Sequence, residues 1–138
     1  MEKPSIEVTF GEVFLKEANF VRPNALDQTN YQIDVVDIID VVDVAKDSFR
    51  VLYTRKTRTD VPFKFSVTFD FVTYLGREGT DYYQGDIERI KKFAEARKVE
   101  IINNMSLASR ASLLIGNIIK EVGNPFITQP AVITPSNK

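Results

Sequence analysis

The chain is 138 residues long, with 43% apolar and 27% charged residues and a net charge of −1. This length and composition point to a single globular domain with its own core and exclude an intrinsically disordered chain. The near-zero net charge excludes a general electrostatic attraction to nucleic acid or to an anionic membrane.

At the amino terminus, MEKPSIEVTF has neither the basic nor the apolar region of a signal peptide. No apolar run in the chain approaches the roughly 20 residues that a spanning helix needs. The expectation is a cytoplasmic protein with no membrane insertion. Between residues 5 and 21, Ile6, Val8 and Phe10 alternate, and the phase then slips to Val13 and Leu15. A one-residue slip at Gly11 predicts a β-bulge in one long, bent strand. RPNALDQTN, residues 22–30, carries Pro, Asn and Asp and reads as a loop.

The next segment, DVVDIIDVVD at 34–43, sets an aspartate at every third position. Val and Ile lose rotamer freedom in a helix and suit a pleated sheet, so the stretch from Tyr31 to Val44 is predicted to be a strand. In a strand, a period of three sends Asp34 and Asp40 to one face and Asp37 and Asp43 to the other. A turn at 45–48 and a basic strand, SFRVLYTRKTRT, follow. An antiparallel hairpin about Lys46 and Asp47 sets Asp43 against Arg50, Asp37 against Arg55 or Lys56, and Asp34 against Arg58. Such pairs contribute roughly 0.2–1 kcal/mol each and mainly fix register. A calcium loop is not expected, because the run has no glycine turn and a strand holds Asp34 and Asp40 about 20 Å apart.

Residues 62–75, PFKFSVTFDFVTYL, alternate cleanly. Phe63, Phe65, Val67, Phe69 and Phe71 share one face, and Lys64, Ser66, Thr68 and Asp70 share the other. The spacing predicts a half-buried antiparallel strand with its phenylalanine face against helices. GREGTDYYQGD, residues 76–86, reads as a Gly-rich connection with two exposed tyrosines and matches no phosphate-binding template. Asp86 is placed as the N-cap of a helix with Ile87, Ile90, Phe93 and Ala94 on one face. After a break at Asn103 and Asn104, a second helical piece carries Leu107, Ala111, Leu114, Ile118 and Val122. Gly123 and Pro125 end it. The tail from about residue 128 is expected to be loosely ordered or extended. Strands followed by helices make the fold class α+β: one domain, with a four-stranded antiparallel sheet and helices packed on one face.

The chain has no cysteine and no histidine. The commonest general base and the commonest transition-metal ligand are therefore both missing, and no carboxylate pair or lysine stands out by spacing. No enzyme activity, catalytic residue, metal or cofactor is expected.

The first strand ends in NFVRPNAL, three antiparallel strands and a Gly-rich crossover follow, and the helical region closes in GNPFITQPAVI. This order resembles the SecB family of protein-export chaperones. Phe20 and Pro23-Asn24-Ala25-Leu26 are similar to that family's aromatic and PNAP-like turn. Gly123, Phe126, Ile127 and Pro130 are similar to its proline-flanked tail. Arg110 keeps the place of an arginine at the start of the family's main helix. The charged stretch at about 86–100 is extra, and the family's second, C-terminal helix is expected to be lacking.

The resemblance implies an ATP-independent holdase-type chaperone that binds unfolded or nascent polypeptide and is linked to protein export, with a translocase component as a further partner. The alternative is a SecB-like scaffold dedicated to one protein, such as an antitoxin or a phage or host protein. Candidate client-binding residues are the aromatics near loops and edges: Phe14, Phe20, Tyr31, Tyr82, Tyr83 and Phe126. The resemblance also implies a homotetramer with sheets stacked at its centre. A strand that is apolar on both faces agrees, since one helix layer covers only one of them.

Overall fold

The structure, a computed structural model, describes residues 6–21, 30–32, 35–57, 64–122 and 126–128, and over 30–32, 118–122 and 126–128 the course of the backbone. Asp34, Arg58, Phe63, the turn at 23–26, Gly123, Pro125, Pro130 and the tail from 129 lie outside the described residues. The chain is α+β. Strands β1 (Val8–Phe10), β2 (Phe14–Val21), β4 (Val35–Val42), β5 (Ser48–Thr57) and β6 (Lys64–Leu75) form an antiparallel sheet. Its order is β1-β6-β5-β4, and β2 also pairs with β6.

The sheet counts five strands where the sequence suggested four, because the long first strand is broken. Phe10 lies opposite Thr73 and Phe14 opposite Asp70, so the three residues between them on one side face two on the other. Gly11 keeps a single bond across the gap, its N–H donating to the Val72 carbonyl at 2.8 Å. A second irregularity falls between Leu15 and Glu17. Both are places where one extra residue re-aims an edge strand.

The second correction concerns 31–44, which is not one strand. β3 (Asn30–Gln32) pairs in parallel with β7 (Phe126–Thr128) as a separate two-stranded sheet, and β4 begins at Val35. At the far end Asp43 adopts φ +50°, a left-handed conformation that Asp tolerates better than most residues and that stops the strand. Phe126–Thr128, just ahead of the tail, is a paired strand.

Alternation in β5 and β6 builds the core. Phe49, Val51 and Tyr53 of β5 and Phe65, Val67, Phe69 and Phe71 of β6 are all buried on one sheet face. Helices α2 (Ile87–Asn104) and α3 (Leu107–Val122) bury Ile90, Ala94, Ile101, Ile102, Leu107, Ala108, Ala111 and Ile115 in the same core. The opposite sheet face carries Val36, Ile38, Val42, Leu52 and Val72, all half-buried, with Tyr74 exposed.

The crossover is not a loop. Residues Arg77–Tyr83 form a short helix, α1, which starts after Gly76 and buries Gly79 and Tyr83. Gln84 at φ +50° and Gly85 at φ +75° then reverse the chain in two left-handed steps, the second made cheap by glycine. Asp86 caps α2, its Oδ1 accepting the Arg89 N–H at 3.3 Å. Between the helices, Met105 and Ser106 form the break two residues later than expected, with both asparagines inside α2 and Ser106 at φ +55°.

Candidate functional site

Two clusters of polar and aromatic side chains stand out. The first lies under α3 on the core face of the sheet. Asp37 and Arg55 are directly opposite in the β4–β5 ladder, one of the pairings expected from the hairpin. They meet as a bidentate pair, with Arg55 Nε on Asp37 Oδ1 at 2.8 Å and Nη2 on Oδ2 at 3.0 Å. The pair is not a surface register pair, however, because Arg55 is 0% exposed. Tyr53 donates its hydroxyl to Asp37 Oδ1 at 2.6 Å, and Arg55 Nη1 donates to Ser112 Oγ of α3 at 2.7 Å. Burial on its own would lower the Arg55 pKa, but Asp37 and Tyr53 together more than offset it and keep the guanidinium charged. Burial, reinforced by the hydrogen bond to Asp37, pushes the Tyr53 phenol far above its ordinary value. Each donor and acceptor named here has its partner, so this cluster fastens α3 to the sheet.

The second cluster is open. Helix α1 presents Tyr82 and Tyr83, whose rings meet edge to face at 5.0 Å. Tyr83 also leans on Phe93 of α2 at 5.8 Å. The turn through Gln84 and Gly85 brings the start of α2 back over these rings. The Arg89 guanidinium then stands 4.9 Å from the Tyr82 ring centre and 5.2 Å from that of Tyr83, while Arg97 stands 5.6 Å over Phe93. Such contacts are favourable by about 0.5–1 kcal/mol at exposed sites. Between α1, α2 and Ile6 lies a solvent-open cleft of about 430 Å³, lined also by Lys92 and Ala96. A smaller cavity of about 60 Å³ continues it along Val8 and Phe10 of β1, sharing Ile6, Phe93 and Arg97 and reaching Glu100 and Ile101. Burial pushes the Tyr83 phenol up, the neighbouring Tyr82 adds to this, and Arg89 and Arg97 work against it.

The cleft is cationic on one side. Arg97 is paired with Glu100 at 3.3 Å, but Arg89 and Lys92 have no carboxylate partner among the described residues. Among the described residues no Asp or Glu lines the larger cavity. Among the described residues no group of three or more His, Cys, Asp or Glu side chains comes together to hold a metal ion.

The sequence-predicted aromatics fall in several places. Tyr82 and Tyr83 are together in the cleft, but Tyr83 is only 8% exposed, contrary to the expectation of two exposed tyrosines, because its ring packs between Tyr82 and Phe93. Phe14 is 57% exposed and opposes Asp70, on the sheet face away from the helices. Phe20 opposes the buried Phe65 and is half-buried against the core. Tyr31 and Phe126 lie in β3 and β7, and their side chains are outside the described residues. Sequence reasoning missed Arg89, Lys92, Phe93 and Arg97 as a group. The signal was present in their helical spacing, since 89, 93 and 97 recur every fourth residue and 92 falls beside them.

No family model and no curated protein matches this chain. Among solved structures, a protein of unknown function from Streptococcus agalactiae is similar over 92% of this chain and 99% of its own, at a TM-score of 0.39 and 12% identity. No helix among the described residues is long and apolar enough to cross a membrane.

Proposed function

We propose that this chain is a SecB-like, ATP-independent holdase that binds unfolded or extended polypeptide and catalyses no reaction. The observation that supports this is the open cleft. Its Tyr82, Tyr83 and Phe93 rings run on into the apolar residues Ile6, Val8 and Phe10 beside the edge strand β1. Client side chains would bury apolar area there at roughly 25 cal/mol per Å², and the outer edge of β1, unpaired among the described residues, adds a backbone mode of capture. On the same reading, the half-covered face with Ile38, Leu52 and Val72 meets a second copy of the chain in a cytoplasmic homotetramer, and a translocase component is a further partner.

The test is calorimetry and aggregation suppression with two unrelated, reduced and unfolded client proteins, after light scattering has given the assembly mass. The expected result is a multimer that suppresses aggregation of both, with a negative heat-capacity change on binding. A second reading, a scaffold dedicated to one protein, draws support from the one-signed charge of the cleft, which narrows the choice of ligand. Binding of neither client by a correctly assembled multimer favours it.

A further inference from the structure

We propose that the cleft selects polypeptide segments that carry an acidic residue beside an aromatic one, with a short apolar run beyond. The proposal rests on the polypeptide-binding reading and specifies the ligand. Arg89 and Lys92 are exposed, lie one helical turn apart on α2, and have no carboxylate partner among the described residues. Arg89 is held against the faces of Tyr82 and Tyr83, so its charge is fixed at the mouth of the cleft and not free to sweep solvent. A carboxylate arriving there gains a charge-assisted hydrogen bond, and an adjacent aromatic ring finds Tyr82 and Phe93.

The polarity of the cleft sets the order of residues in the ligand. Its cationic part lies toward the start of α2, and its apolar part, with Val8, Phe10 and Ile101, lies toward the end. Helix rise places Ile101 about 14–18 Å beyond Lys92 and Arg89, a distance that an extended peptide spans with about four to six residues. At the far end Glu100 already occupies Arg97 at 3.3 Å, so among the described residues that part of the cavity offers no unpaired cation to a second negative charge. That detail disfavours a nucleic acid, whose phosphates repeat along the strand, and favours a peptide with one acidic end.

The experiment measures fluorescence anisotropy of labelled nine-residue peptides with the full chain. One peptide begins Asp-Phe and continues with Leu and Val; its partners begin Asn-Phe and Lys-Phe. The acidic peptide should bind about tenfold more tightly than the neutral one and lose that advantage as salt rises, since exposed ion pairs are screened. Arg89→Gln and Lys92→Gln, singly and together, should abolish the advantage, so that the acidic and neutral peptides bind alike, with the melting curve as a check on folding. Equal binding of acidic, neutral and basic peptides overturns the selectivity and leaves the polypeptide reading standing. No binding by any of them overturns both.

Two further outcomes reassign the cleft. A ten-residue oligothymidylate that binds more tightly than the acidic peptide, and is lost in the same variants, gives the cleft to nucleic acid. Acidic-peptide binding that occurs only after residues 1–5 are deleted gives it to the chain's own amino-terminal segment. Either result overturns the proposal.

Discussion

The cluster under α3 and the cleft beside α2 use the same kinds of side chain to opposite ends. In the first, Tyr53 and Arg55 converge on Asp37, and Ser112 and the Ala108 carbonyl accept from the Arg55 Nη1. In the second, Tyr82, Tyr83 and Arg89 converge with no carboxylate between them among the described residues. The difference is one acid. Where the chain supplies it, the charges are satisfied internally and the cluster serves stability. Where the described residues supply none, the cations face solvent and a ligand can bring the acid. Burial follows the same division, since Arg55 is 0% exposed whereas Arg89 lies at the surface.

The sharpest way to break this comparison is to remove the acid. Asp37→Asn keeps the shape of the side chain and leaves the Arg55 charge buried without its counter-ion. Losing one partner of such a pair costs about 3–5 kcal/mol, so the urea midpoint should fall by a large fraction of the total stability. Arg89→Gln, by contrast, should leave stability within about 0.5 kcal/mol of the parent. Equal effects of the two substitutions would show that the clusters do not divide into structural and open as described. Asp37→Leu combined with Arg55→Met should recover most of the loss, because the apolar pair leaves no charge unpaired.

A smaller effect is expected where the two regions of the fold meet the cleft wall. A Cβ on Gly79 would lie 2.9 Å from Ile6 Cγ2 and 3.2 Å from Leu75 Cβ. The Leu75 atom is tied to the backbone of β6, so Ile6 must give way, and Ile6 is part of the cleft. Overpacking of this kind costs about 1–3 kcal/mol, offset by the roughly 1 kcal/mol that alanine gains over glycine in a helix. Gly79→Ala should therefore lower the melting temperature modestly and weaken peptide binding about threefold. Unchanged binding would mean that Ile6 does not contribute to the cleft in solution.

How far each region was legible in the sequence follows from range. The β5–β6 core was readable because period-two alternation of Phe65, Val67, Phe69 and Phe71 is a local signal. The Asp37–Arg55 pairing was readable because a tight turn at 45–48 fixes register by counting. Its burial was not, because nothing local says that Ser112, 57 residues from Arg55, lies over it. The split of 31–44 into two strands was hidden because β3 pairs with β7, nearly a hundred residues away. In the crossover, glycines at 76, 79 and 85 suggested a loop. Gly79 instead sits inside α1 because its bareness lets the helix approach Ile6 and Leu75. The cleft was half legible: its two tyrosines were singled out, while its cations passed as part of a charged helix.

Alkaline titration distinguishes the two sets of tyrosines by a further, graded effect. Burial and the bond to Asp37 raise the Tyr53 pKa, and burial raises that of Tyr83. An unfolded tyrosine titrates near about 10. Below that pH both states hold the proton and the full contribution to stability is present. Above it the unfolded chain loses protons that the folded chain keeps, so stability falls by up to about 1.4 kcal/mol per pH unit for each such group. Urea midpoints at about pH 9 and about pH 11 measure the fall. Tyr53→Phe should flatten most of the slope, and an unchanged slope would place the sensitivity elsewhere than in the buried cluster.

The smallest stability effect is expected at Asp40, a member of the aspartate run on the sheet face away from the helices. It opposes Leu52 in the ladder and lies between Ile38 and Val42 on the open face, exposed and without an ion-pair partner among the described residues. Asp40→Asn should change stability by less than about 0.5 kcal/mol. Its effect should appear in association instead. A charge without an ion-pair partner among the described residues, set beside Ile38, Val42 and Leu52, opposes the stacking of a second apolar surface there, because the carboxylate loses solvent and gains no cation. Removing the charge should therefore raise the fraction of multimer at a given concentration, read by light scattering across a dilution series. Added calcium or magnesium should make no difference to the parent or the variant, since the aspartates alternate between faces and cannot share one ion. Tight divalent binding by the parent, lost in Asp40→Asn, would turn the aspartate run from a strand pattern into a ligand set. Unchanged association would leave this sheet face as an ordinary solvated surface, with the cleft beside α2 as the region that meets other molecules.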